Sequence, residues 1–86
     1  MISTYERWDI IHIMKMNRLT LIDSDTAHLR FDGQVKEEDY DIKILVVDSP
    51  AVIIKQDGRV VFDDTVKSIN KLKIFLDEGL YKYLEV

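Results

Sequence analysis

The residues of this chain whose types could do chemistry are its histidines, its clustered carboxylates and a short run of lysines, and spacing decides what each can do. His12 and His28 are the only histidines. They fall on different elements, without an acidic partner at a recognisable ligand spacing, whereas a zinc site draws on three or four protein ligands. No metal is expected. Asp23-Ser24-Asp25 opens like a calcium loop but does not continue as one, because His28 stands where the glycine belongs and Gln34 where the bidentate glutamate belongs. It reads as a polar turn. The glycines fall singly at Gly33, Gly58 and Gly79, so no clustered backbone N–H groups are available to cradle a phosphate. No serine sits in a Gly-x-Ser-x-Gly elbow. With no cysteine in the sequence, thiol catalysis, disulfides and thiolate zinc sites are all excluded. Catalytic residues and cofactors are therefore not expected, and the chain does not read as an enzyme.

Three surface features carry a binding reading beside a plainer one. Glu37, Glu38, Asp39 and Asp41 put four carboxylates into five residues, a density suited to docking on a basic partner surface; as a solvated loop they need no function. Tyr5 and Trp8 are residue types that anchor interfaces, although their spacing on a helix makes core packing the simpler expectation. Lys67 and Lys71, with Lys73 and Lys82, offer a basic stripe on the last helix. No aromatic is interleaved to stack on bases, and Asp77 and Glu78 dilute the field. Nucleic acid is not the expected partner, and the net charge of −4 points the same way.

The elements that must position these residues follow from periodicity. Ser3 and Glu6 match a capping box, after which Trp8, Ile11 and Met14, with Tyr5, fall on one stripe, widened by Ile10 and Ile13, of a helix ending at Asn17. Beyond Arg18 the period becomes two. Leu19 and Leu21 share a face of a first strand; Ala27, Leu29 and Phe31 oppose Thr26, His28 and Arg30 in a second, turned back by Asp32-Gly33. A third strand alternates from Tyr40 and becomes apolar on both faces at 44–47, which places it centrally. The segments 51–56 and 59–62 around Asp57-Gly58 form a hairpin, since Asp-Gly accepts the positive φ angles of a type I′ turn. A last helix begins at Asp63 or Asp64, carries Val66, Ile69, Leu72 and Leu76 beside Phe75, and stops at Gly79. The tail 80–86 is expected as an edge strand. The sum is an α+β fold: an N-terminal helix, an antiparallel meander of four or five strands and a C-terminal helix, both helices on one face of the sheet.

At 86 residues and 47% hydrophobic content, the whole chain, 1–86, reads as a single globular domain. No apolar run approaches the length needed to cross a bilayer, the charged start does not read as a signal peptide, and the absence of cysteine suits a cytoplasmic location. In size and acidity the chain is similar to small proteins of phages and mobile elements, anti-CRISPR proteins among them. That likeness implies a binder that inhibits or modulates a larger host machine. The expectation is a small acidic protein-binding module acting through a presented surface, with another protein as partner; the alternatives are a self-associating accessory subunit and a nucleic-acid binder.

Overall fold

The computed structural model describes residues 3–84. Helix α1 (Thr4–Met16) starts at a complete capping box: the Ser3 hydroxyl accepts from the Glu6 N–H at 3.2 Å while the Glu6 carboxylate accepts from the Ser3 N–H at 3.0 Å. Asn17 caps the other end, its side-chain amide donating to the Ile13 carbonyl at 2.9 Å. The left-handed residue that turns the chain out is the next one, Arg18, at φ +66°.

Five strands follow: β1 (Thr20–Ser24), β2 (His28–Val35), β3 (Glu38–Leu45), β4 (Ala51–Gln56) and β5 (Arg59–Thr65). They form one antiparallel sheet in the order β1-β2-β3-β4-β5. Alternation sends Leu29 and Phe31 of β2, Tyr40, Ile42 and Ile44 of β3, and Val52 and Ile54 of β4 to one face. There they join Ile10 and Met14 of α1 and Leu72, Leu76, Leu80 and Leu84 of the C-terminal helices in a single buried cluster. The apolar second half of β3 does occupy the centre of the sheet.

Four local expectations are corrected. Asp32-Gly33 makes no turn; β2 continues to Val35 and the reversal falls at Lys36-Glu37, at φ +52° and +71°. Gly33 is required for another reason, since a Cβ there would lie 2.4 Å from the Arg18 carbonyl oxygen, where the α1–β1 connection crosses β2. Asp57-Gly58, by contrast, is the expected turn, at φ +50° and +85°. Asp63 and Asp64 do not start the last helix: they pair with Ile53 and Val52 and stay in β5. Helix α2 (Ile69–Ile74) is capped instead by Ser68, whose hydroxyl accepts from the Lys71 N–H.

Gly79 does not stop the helix either. A π-helical turn, Phe75–Gly79, leads into α3 (Tyr81–Leu84), so the tail is helical rather than an edge strand, and its last two residues lie outside the described range. The leucines explain this. Leu72, Leu76, Leu80 and Leu84 recur every four residues, a spacing that drifts by about 40° per step in a regular α-helix. One wider π turn takes up part of that drift and keeps all four in the core. Phe62 of β5 stacks on Phe75 at 4.9 Å and meets Tyr83 edge-on at 5.1 Å, fastening the last strand to this segment.

The fourth correction concerns α1. Its core stripe is Ile10 and Met14, flanked by Ile11 and Ile13, while Tyr5 and Trp8 lie outside. The helix is rotated relative to the expected stripe because three isoleucines and Met14 fill the space over the sheet, leaving the aromatics on the far side.

Candidate protein-binding surface

Helix α1 is apolar on two sides. At about 100° per residue, Tyr5, Trp8, His12 and Met16 fall within one arc opposite Ile10 and Met14. Tyr5 is 83% exposed, Trp8 64% and Met16 74%; His12 is exposed as well. A helix needs one apolar stripe to sit on a sheet, so this second stripe has no part in the core. The helix that carries it is held firmly. Beyond the capping box, the Arg7 guanidinium donates to the Asp25 carbonyl at 2.7 Å, and Lys73 of α2 reaches Asp9 at 3.4 Å.

The acidic segment divides between faces. Glu37 occupies the β2–β3 turn, Glu38 shares the face of Tyr40, and Asp39 and Asp41 share the other face of β3. Asp41 is taken up by Arg30, which grips it with Nε at 3.1 Å and with Nη2. That hydrogen bond holds the Asp41 carboxyl below its ordinary range and pushes the Arg30 guanidinium up. What the expected grouping lacks is Asp57, from the neighbouring turn. Its carboxylate accepts from the Asp39 N–H at 3.0 Å, its own N–H donates to the Asp39 carbonyl at 2.8 Å, and its side chain hydrogen-bonds with Glu38. The shared hydrogen bond lowers Asp57 and raises Glu38. The acidic patch is therefore Glu37, Glu38, Asp39 and Asp57 at the tips of two hairpins, with Asp41 set apart by its pairing with Arg30.

The lysines do not make one stripe. Lys67 precedes α2, Lys71 lies exposed within it, and Lys73 is drawn to Asp9.

The open face of the sheet carries the arrangement that sequence reading missed. His28, at the start of β2, has a carboxylate at each ring nitrogen: Asp25 Oδ2 lies 2.8 Å from Nδ1 and Asp23 Oδ2 3.6 Å from Nε2. Asp25 is fixed by its loop, its other oxygen accepting from the Ala27 and His28 N–H groups at 2.8 Å each. These backbone bonds, the Ala27 one foremost, and His28 itself hold the Asp25 carboxyl below its ordinary range. The Asp-x-x-His spacing at a strand start was the available signal for this pair. Asp23 arrives by a less visible route. Leu21 pairs with Phe31 and Asp23 with Arg30, leaving Ile22 as a bulge; an unbroken ladder would place Asp23 opposite Leu29, on the buried face. Beside this cluster, Asp23, His28, Arg30, Asp41, Lys43, Ile53 and Lys55 line an open depression of about 480 Å³.

No family model matches the chain. Comparisons with curated proteins and with solved structures likewise find no match. Among the described residues, no helix is long and apolar enough to cross a membrane.

Proposed function

We propose that the protein is a small protein-binding module that acts by presenting the outer face of α1, with Tyr5 and Trp8 as its anchors. The exposure of Trp8 on the side of the helix opposite the core supports this reading most strongly. Burying a tryptophan on folding is favourable, and leaving the chain's only one in water next to an exposed tyrosine forgoes that gain. Tryptophan and tyrosine also dominate the energetics of protein interfaces, and contiguous exposed apolar groups mark interaction sites. The partner is another protein, and inhibition or modulation of a larger machine is a form such a module takes. The cytoplasm is the compartment we propose, on the cysteine-free composition.

The acidic hairpin tips are a second contact region rather than the principal one. With Asp41 engaged by Arg30 and Asp57 tied to the Asp39 backbone, the remaining carboxylates suit electrostatic steering toward a basic surface, which raises association rate more than affinity. Self-association through sheet edges is disfavoured by construction. Both edge strands have an interrupted register, at Ile22 in β1 and at Val61 in β5, and bulges of this kind blunt strand-to-strand addition.

Parallel affinity capture with the wild-type chain, a Tyr5→Ala/Trp8→Ala variant and a Glu37→Lys/Glu38→Lys/Asp39→Lys variant tests the reading. A partner held stoichiometrically by the wild type should be lost with the aromatic pair and weakened, in a salt-dependent way, with the acidic tip. A partner indifferent to Tyr5 and Trp8 would refute it. Intrinsic fluorescence gives an independent readout, because Trp8 must lose water on docking.

A further inference from the structure

We propose that the depression between the end of α1, the β2–β3 turn and α3 receives a large apolar side chain from an acidic segment of the partner, with Arg18 and Lys36 pairing with the carboxylates beside it. The inference rests on the reading of the chain as a protein-binding module and supplies the chemistry of the segment it recognises. The depression measures about 270 Å³, below the range usual for small organic ligands and suited to a side chain anchored in a peptide. Met16, Val35, Tyr81 and Leu84 form its apolar wall, and Arg18 and Lys36 its charged rim. Among the described residues, no carboxylate lines it. In a chain of net charge −4, that is a local reversal of sign. Leu84 is buried, whereas Met16 is exposed and Tyr81 is 48% exposed. An inserted side chain would therefore meet a closed floor and cover two apolar groups that now face water. Met16 also ends the arc of Tyr5, Trp8 and His12, which makes the depression continuous with the outer face of α1.

Both cations are available to a ligand. Neither side chain makes a hydrogen bond or ion pair among the described residues, in contrast to Arg7, Arg30 and Lys73. Arg18 is not needed to close the helix: the Asn17 amide donates to the Ile13 carbonyl, the Asn17 and Leu19 N–H groups to the Met14 carbonyl, and the Arg18 N–H to the Lys15 carbonyl. Arg18 and Lys36 also stand at positive φ, +66° and +52°, a region that glycine and asparagine enter at lower cost. Backbone outliers of this kind gather at ligand contacts. Glu37, the next residue of the turn, does not line the depression.

Selection of a random phage-displayed peptide library on the intact protein, with the most enriched peptide then synthesised and titrated, tests the proposal. Enriched sequences should join phenylalanine, leucine or tryptophan to flanking acidic residues. The synthetic peptide should shift backbone amide resonances at 16–18, 35–36 and 81–84, and its affinity should fall with salt. Binding should weaken about 2- to 5-fold with Arg18→Gln or Lys36→Gln and about 10-fold with Tyr81→Ala, and should survive Tyr5→Ala/Trp8→Ala. That last variant separates the two readings, since partner capture indifferent to Tyr5 and Trp8 refutes the α1 anchors and leaves this site standing. Circular dichroism melts of each variant keep a loss of fold distinct from a loss of ligand. No enrichment, enriched peptides without acidic residues, or unchanged binding in a folded Arg18→Gln/Lys36→Gln variant would each overturn it. So would use of the same residues by phosphatidylserine vesicles or, in sedimentation, by a second copy of the chain.

Discussion

Trp8→Ala separates the two possible places for α1's tryptophan by free energy. If Trp8 belonged to the core, its truncation would cost about 3–5 kcal/mol. The structure gives a smaller figure. Trp8 is 64% exposed, so about a third of a side chain of ~200 Å² is covered, which at ~25 cal/mol per Å² corresponds to about 1.5–2 kcal/mol, with helix propensity returning a few tenths for alanine. Ile10→Ala is the internal standard: Ile10 is fully buried on the same helix, and its truncation should cost about 2–5 kcal/mol through lost transfer energy and the cavity left behind. Urea unfolding followed by far-ultraviolet circular dichroism measures both, since the fluorescence reporter is itself deleted. The midpoint should fall clearly less for Trp8→Ala than for Ile10→Ala, at unchanged slope. A Trp8→Ala penalty of 3 kcal/mol or more, equal to that of Ile10→Ala, would refute the surface placement and with it the main support for a docking face there.

Other substitutions test the interior and the electrostatics. The Tyr40 hydroxyl is buried without a hydrogen-bond partner, and a buried orphan costs about 1–3 kcal/mol. Tyr40→Phe should therefore leave stability unchanged or raise it, and a loss above about 1 kcal/mol in urea unfolding would show a bond the geometry does not contain. Gly33→Ala should destabilise by about 1–3 kcal/mol, because the new methyl meets the Arg18 carbonyl. Gly79→Ala meets only the Phe75 ring edge at 3.4 Å and should gain up to about 1 kcal/mol in helix propensity; thermal melts of the two variants should move in opposite directions. With pH, Asp25, Asp41 and Asp57 have folded-state pKa values below their ordinary range. The stability they contribute is present above the unfolded carboxylate pKa and is lost as pH falls through the folded values. Glu38, raised by Asp57, acts in the opposite sense, its contribution present below its unfolded pKa and lost as pH rises through the folded one. Urea midpoints from pH 7 to pH 3 should fall overall, and Asp41→Asn should flatten the decline.

The α+β class, the meander and the central position of β3 were legible because a half-buried sheet imposes strict alternation, and Leu29, Phe31, Ile42 and Ile44 obey it. The Ser3 capping box and the Asp57-Gly58 turn were legible because each is a local rule with its own geometry. Helix α1 was read with Tyr5 and Trp8 turned inward beside Met14 because Tyr5, Trp8, Ile10, Ile11, Ile13 and Met14 leave nearly every direction of the helix apolar, so periodicity does not choose among them. The sheet surface chooses, and it is assembled from strands far away in sequence. The same holds for Gly33, whose need for a missing side chain arises from the Arg18 carbonyl fifteen positions earlier.

The open-face cluster was illegible for a related reason. The pairing of Arg30 with Asp41 depends on the β2–β3 register, which the reversal at Lys36-Glu37 sets by placing two non-glycine residues at positive φ. A turn at Asp32-Gly33 would have ended β2 before that register existed. Around His28 the dependence is sharper still. A slip of one residue exchanges the two faces of a strand, and β1 contains such a slip within itself: Leu21 faces the core with Phe31, Ile22 is passed over, and Asp23 emerges beside Arg30 on the outside. Period-two reading of 20–24 puts Leu21 and Asp23 on one side, and with Leu21 inward that side is the core, the wrong place for an exposed carboxylate. The conflict was present in the sequence, since a strand whose inward set includes an aspartate must either bury it or break register. In β1 the register breaks, and the break delivers Asp23 to the imidazole.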